Sequence, residues 1–226
     1  MDKPSAQSEE ARWLEVHDAA LLLESARLYQ PPRGKAGVLP FMFPLIGTYL
    51  LTGGRTREVL GLEVSDVSFD RRVVTFREHE HRRLKTKSAH RNVPLWPQLA
   101  EILQEYVFGG DQPLAEGLLF PSPRTQMMLR DFRKPLDEIA QKAGWKAGEI
   151  RSKMFRHTYC AARLQTLDNG APVSPYTVAR EQGHGGDSLV KRIYGHLGEV
   201  RHRSENVEYR VENHRDLLGE RLTALS

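Results

Sequence analysis

The sequence predicts a mainly α-helical domain with one small antiparallel β-sheet, an α+β arrangement. Apolar residues recur at helical spacing along most of the chain. One stretch, Val64 to Glu78, changes to β-branched and aromatic residues, and Arg91 to Leu95 resembles a further strand. With 226 residues and 39% hydrophobic content the chain can bury one sizeable core, so a single main domain is expected.

Residues 1–12 are polar and read as a leader or linker. Val16, Ala19, Ala20, Leu23 and Ala26 then share one helix face, and Pro31-Pro32-Arg33-Gly34 ends that segment near Leu28. A second helix is expected over Val38 to Leu51, with Pro44 in its first turn and Gly53-Gly54 at its end. A third starts near Arg55 and carries Val59, Leu60 and Leu62. In the strand region Asp70-Arg71 suits a turn between two strands. Pro97 opens a helix to about Phe108, and Leu118 to Pro123 is a short extended piece leading to a loop. Helical spacing resumes over Met128 to Ala143, where Pro135 should kink or restart the helix, and over Met154 to Leu167, closed by Asp168-Asn169-Gly170. Ser174-Pro175 has the form of another helix start, and Val207 to Leu222 is a final, charged helix. No internal repeat is present.

Composition narrows the function classes. No run of eighteen apolar residues occurs, and the N-terminus lacks a basic region followed by an apolar one, so neither a membrane span nor a signal peptide is readable and a cytoplasmic setting is expected. The single cysteine, Cys160, rules out an internal disulfide and a multi-cysteine zinc site. A net charge of +4 and a pI near 9.2, with basic residues bunched at 82–87, 130–134 and 201–203, permit a polyanionic partner. His79-Glu80-His81 would put two histidines on one face of a strand, but no further ligand cluster stands nearby, and no metal is expected. No glycine-rich phosphate loop is present, so no nucleotide cofactor is implied.

Three blocks carry the chemistry. They are Thr52-Gly53-Gly54-Arg55-Thr56-Arg57-Glu58, then Phe155-Arg156-His157-Thr158-Tyr159, then Gln182-Gly183-His184 followed ten residues later by Tyr194-Gly195-His196-Leu197. In this order they resemble the signature of the tyrosine recombinases, the phage-integrase family of DNA strand-exchange enzymes. The resemblance covers roughly residues 13–200 and implies the tyrosine recombinase catalytic-domain fold. It assigns Arg55 and Arg156 as the two catalytic arginines, His184 as a phosphate-bonding histidine, Tyr194 as the nucleophile and Glu58 as a supporting partner. Lys85-Thr86-Lys87-Ser88-Ala89-His90-Arg91 is similar to the family's lysine-bearing β-turn, which makes Lys85 the general acid with Lys87 in reserve, and places Lys87 and Arg91 among the DNA-binding residues. Two positions depart from the family pattern. Lys153 stands where a histidine is usual, so it can donate to a phosphate oxygen but cannot shuttle a proton as imidazole does, and Gln182 replaces an apolar residue.

These residue types suit the implied reaction. An arginine fork bonds two phosphate oxygens and stays charged at any working pH, and a tyrosine with a free pKa of about 10 becomes a useful nucleophile beside such cations. The resemblance further implies a 3′-phosphotyrosine intermediate, double-stranded DNA attachment sites as partners, a tetramer on DNA, no cofactor and no metal. It divides the chain into a 13–200 catalytic domain and a 201–226 tail that docks on a neighbouring protomer. It also leads one to expect an N-terminal core-binding domain, for which this chain has no room ahead of its first helix. Two alternatives stay open: type IB topoisomerase-like relaxation of DNA, and a DNA-binding fragment inactive without that missing domain.

Overall fold

The computed structural model describes residues 11–30, 39–80, 90–110, 113–197 and 204–225. The stretch holding Lys85 and Lys87 lies outside these residues. Nine α-helices occur among the described residues: α1 Val16–Arg27, α2 Met42–Thr52, α3 Thr56–Leu60, α4 Pro97–Phe108, α5 Arg133–Lys142, α6 Ser152–Leu164, α7 Pro175–Glu181, α8 Ser188–Tyr194 and α9 Arg215–Thr223. The central one is α2, which packs against α1, α4 and α6. A helix apolar all round must be enclosed on every side, and all its residues but Phe43 are buried. Its two threonines satisfy their hydroxyls within the helix, Thr48 donating to the Pro44 carbonyl at 2.7 Å and Thr52 to that of Thr48 at 2.6 Å.

The expected sheet is present as β1 Val67–Ser68, β2 Val73–Phe76 and β3 Arg91–Pro94, antiparallel in chain order, with Val74 opposite Val93 and Phe76 opposite Arg91. Side chains alternate across a strand, so Val74, Phe76, Arg91 and Val93 all point inward. That alternation carries a cation into the protein, and the site is built around it. Of the His79-Glu80-His81 run, His81 lies outside the described residues, and His79 has its Nδ1 3.1 Å from a Glu63 carboxylate oxygen and its Nε2 3.5 Å from one of Asp66. Among the described residues no helix is long and apolar enough to cross a membrane.

Three expected elements differ in detail. The 128–143 segment becomes helical only at Arg133, because Pro135 falls in the first turn of α5, where its missing N–H costs nothing. Asn169 and Gly170, with φ of 51° and 78°, do not simply end α6; they form the turn of a two-residue hairpin joining β4 Leu167–Asp168 to β5 Ala171–Pro172. The last segment is not one helix. Val207 to Arg210 is extended, a 3₁₀ turn follows over Val211–His214, and only then does α9 begin.

That extended piece belongs to the core of this chain. Val207, Tyr209 and Val211 are buried in it. The Tyr209 N–H donates to Gln98 Oε1 at 2.6 Å and its ring is fully enclosed. Replacing a buried aromatic side chain by alanine costs about 3 to 5 kcal/mol. Tyr209→Ala should therefore lose that much unfolding free energy in a denaturant titration; a loss below about 1 kcal/mol would show that the segment is only loosely applied to the domain.

Candidate active site

The site begins where α2 stops. Gly53 ends the helix in the left-handed conformation at φ 62°, and a Cβ there would lie 2.4 Å from Gln182 Nε2 and 2.7 Å from Tyr159 Cδ1, so both conformation and space demand glycine. The turn delivers Arg55 to the N-cap position of α3. Glu58, three residues on, reaches back: its Oε2 accepts the Arg55 backbone N–H at 2.9 Å and its Oε1 accepts Arg55 Nη1 at 2.8 Å. From β3, Arg91 donates Nη2 to Glu58 Oε2 at 2.8 Å and Nε to the Glu181 carbonyl at 2.6 Å, with its guanidinium 4.2 Å from the Phe76 ring centroid.

Helix α6 supplies the second catalytic arginine of the sequence reading. Arg156 donates Nη1 to the Gly53 carbonyl at 2.9 Å and Nη2 to the Gln182 carbonyl, and Nη2 lies 3.0 Å from His184 Nε2. It thereby ties the end of α2 to the turn after α7. Ser174 caps α7, accepting the Tyr176 N–H at 3.2 Å, and Gly183 turns the chain at φ 68° so that His184 faces Arg156. Beneath lies a buried brace. The Glu181 carboxylate accepts Tyr159 Oη at 2.8 Å and Arg163 Nε at 3.2 Å, and the Arg163 guanidinium stands 5.1 Å from the Trp96 ring centroid.

Tyr194 is the last residue of α8. Its hydroxyl lies 2.5 Å from His157 Nδ1, its ring packs 5.7 Å from that of Trp13, and it is only 5% exposed. Consecutive residues of α6 therefore reach the two halves of the site, Arg156 the basic cluster and His157 the tyrosine.

The electrostatics are unbalanced. Arg55, Arg91 and Arg156 all act on one carboxylate, Glu58. Burial alone would raise the Glu58 pKa, but the hydrogen bonds and charges of Arg91 and Arg55 outweigh it and hold the group at about 2. Burial, then repulsion from Arg55 and Arg91, brings Arg156 down to about 9. His184 is brought to about 4 by burial and by the repulsion of Arg156, Arg55 and Arg91. Its Nδ1 is buried with no hydrogen-bond partner among the described residues. Burial also raises Tyr194, so the free site holds a neutral phenol and a neutral imidazole beside an excess of guanidinium charge.

Of the residues singled out in the sequence, Arg55, Glu58, Arg91, Arg156 and His184 come together. Lys153 is exposed in the first turn of α6, where its charge acts on His157 one turn later. Lys85 and Lys87 lie outside the described residues. Arg91 is 6% exposed, with its guanidinium on Glu58 and the Glu181 carbonyl, so in the free protein it acts as an internal strut. Gln182, the polar departure from the family pattern, is buried and contributes its carbonyl to Arg156. His157 and the Tyr159–Glu181–Arg163 brace received no role from the sequence. The strict i, i+1 neighbourhood of Arg156 and His157 was the available signal for the first; nothing local to Glu181 signals the second.

The sequence model described as the phage integrase family matches residues 42–200. The chain belongs to the phage integrase family. It is 27% identical over 209 residues to tyrosine recombinase XerD of Brucella suis biovar 1 (strain 1330), covering 89% of this chain and 63% of that protein. It is 30% identical over 155 residues to tyrosine recombinase XerD of Yersinia pestis, covering 66% of this chain and 48% of that one. This phage-integrase-family chain thus spans roughly half to two thirds of the curated relatives it matches. Among solved structures, XerA recombinase has a TM-score of 0.61 at 17% identity, covering 97% of this chain and 66% of that one. The catalytic domain of bacteriophage HP1 integrase has 0.56 at 19%, covering 85% and 91%. XerH recombinase bound to palindromic difH substrate has 0.62 at 19%, covering 88% and 53%. These likenesses establish the fold, mainly helical with small antiparallel sheets.

The charge imbalance makes a prediction about anions. In the anion-free protein, stability should fall as pH drops from about 6.5 toward about 4, because the unfolded chain takes the His184 proton first. His184→Asn should flatten that part of the curve. Added sulfate or a short DNA duplex should raise the His184 titration, followed by imidazole NMR, and raise the Tm; a titration unmoved by saturating anion would mean that the cluster is not an anion site.

Proposed function

We propose that this chain is the catalytic domain of a site-specific DNA recombinase that cleaves and rejoins DNA through a 3′-phosphotyrosine. One observation carries the reading: Arg55, Arg156 and His184, drawn from three separated segments, converge on one face, and the next residue of the same helix holds the hydroxyl of Tyr194. In this reading the two guanidiniums and His184 bond the nonbridging oxygens of the scissile phosphate. His184 is depressed by burial and then by its cationic neighbours, and the arriving anion offsets that repulsion and turns it into a donor. Tyr194 attacks phosphorus, Lys85 protonates the departing 5′ oxygen, and Lys153 adds a further contact to a phosphate oxygen. The phosphotyrosine conserves the energy of the phosphodiester, so a 5′ hydroxyl from a partner duplex reverses the step without nucleotide hydrolysis.

The partners in this reading are double-stranded DNA attachment sites, bound by a tetramer, in the cytoplasm at the nucleoid. The solved structure of the Tn1549 transposon integrase in complex with circular intermediate DNA supports a DNA partner. The 201–226 tail is the element that joins protomers: its buried residues Val207, Tyr209 and Val211 would leave their own groove and fill the same groove on a neighbour.

The test is trapping. A nicked or 5′-phosphorothiolate suicide duplex, incubated without metal, should give a denaturation-resistant adduct that Tyr194→Phe abolishes. Arg55→Ala and Arg156→Ala should each lower the trapping rate by about 10² to 10³. Lys85→Ala should be slow on ordinary DNA and restored on the phosphorothiolate, whose leaving group needs no acid. No adduct on any substrate, with the N-terminal part of a XerD relative supplied in trans, would instead leave a DNA-binding domain without chemistry.

A further inference from the structure

Attack by a neutral phenol releases a proton at the moment its oxygen bonds to phosphorus, and some group within reach must take it. Among the described residues few groups face the Tyr194 hydroxyl. On α6 these are His157, the Cys160 thiol and, further off, the Arg156 guanidinium, while Trp13 covers the ring. Arg156 is a cation with no acceptor atom, and so is Lys153, one turn before His157. Cys160 is pushed up to about 12, first by burial, so it is a protonated thiol at any working pH. His184 is engaged with Arg156. His157 remains: its Nδ1 is 2.5 Å from the hydroxyl oxygen, and burial, then Lys153 and Arg156, lower its pKa and keep the ring neutral.

We infer that His157 is a further catalytic residue of this reaction, accepting the Tyr194 hydroxyl hydrogen bond at Nδ1 and taking its proton as the phosphotyrosine forms. This rests on the recombinase reading above. As the Tyr194 oxygen bonds to phosphorus, its O–H bond breaks and the proton passes to Nδ1. The bond from phosphorus to the 5′ oxygen breaks, and that oxygen leaves with its electron pair and takes a proton from the general acid. His157 is then an imidazolium. On rejoining it returns the proton to the tyrosine oxygen.

The charges around His157 suit this timing. In the free protein Lys153 and Arg156 oppose protonation, so the ring waits as an acceptor. The scissile phosphate, seated on Arg55, Arg156 and His184, brings negative charge beside the ring and raises its proton affinity when the proton must be received. The lysine at 153, which cannot itself accept a proton, and the histidine at 157 therefore divide between them two tasks, charge and proton transfer, on one face of α6.

Two measurements test this. In the DNA-free protein, long-range ¹H–¹⁵N spectra of the imidazoles should show His157 with its proton on Nε2, titrating below the ordinary 6.5, and Tyr194→Phe should alter that signal. A proton resident on Nδ1 would overturn the assignment whatever the activity. In trapping assays, His157→Asn can still hold the hydroxyl but cannot take its proton. It should slow adduct formation by about 10² to 10⁴ on both phosphodiester and phosphorothiolate DNA, with DNA affinity and Tm near wild type and a rate that climbs with pH. Trapping by His157→Asn within about threefold of wild type would dismiss His157 and leave the recombinase reading standing. Wild-type protein that never forms an adduct would bring down both.

Discussion

The arrangement depends on one buried carboxylate. Glu58, at 6% exposure, accepts the backbone and side chain of Arg55 from its own turn and the guanidinium of Arg91 from β3. Burying such charges is costly unless every group finds a partner, and removing one member of a buried pair typically costs about 3 to 5 kcal/mol. Here the compensation is structural. Arg91 goes on to the Glu181 carbonyl and lies over Phe76, and Arg156 spans from the Gly53 carbonyl to that of Gln182. The ends of α2, α7 and β3 are therefore registered against each other through guanidiniums, which fix geometry more tightly than apolar packing because their hydrogen bonds are directional.

What this framework presents to solvent is a local excess of positive charge held in place before any ligand arrives. Donors fixed in a partly desolvated site stabilise developing charge without reorganising, and in many enzymes this stabilisation accounts for most of the rate enhancement. Arg156 and His184 are both depressed, first by burial and then by the repulsion of the neighbouring guanidiniums. The same helix that supplies one of the cations supplies the ring that meets the Tyr194 hydroxyl, so a small shift of α6 would disturb both halves together. The second, smaller core around Cys160, Val178, Val190 and Tyr194 keeps α6, α7 and α8 in step.

Much of this was legible in the sequence. The Gly53-Gly54 turn, the Pro97 and Ser174-Pro175 helix starts and the three-stranded sheet follow from local rules, and the family-like blocks located Arg55, Arg156, His184 and Tyr194. The rest required three dimensions. Arg91 reads as one more basic residue where a basic stretch runs into a strand, until the pairing of β2 with β3 turns it inward opposite Phe76. His157 stands beside a recognised arginine, yet only the meeting of α6 and α8 puts it against the tyrosine. Tyr209 lies in a segment whose charged residues suggest a surface helix, while its backbone and ring are claimed by Gln98 and the core. Pro135 was ambiguous because the same residue breaks a helix interior and fits a first turn.

The proposed reaction requires that a single cluster, organised by Glu58, receive the scissile phosphate. Its most direct test is a crystal structure of the Tyr194→Phe protein with a half-site duplex bearing an intact scissile phosphate. Nonbridging oxygens should lie within about 3 Å of the Arg55 and Arg156 guanidiniums and of His184 Nε2, with both Glu58 contacts retained. A phosphate seated elsewhere on the basic surface, with Arg156 still turned to the Gly53 and Gln182 carbonyls and away from the DNA, would contradict it.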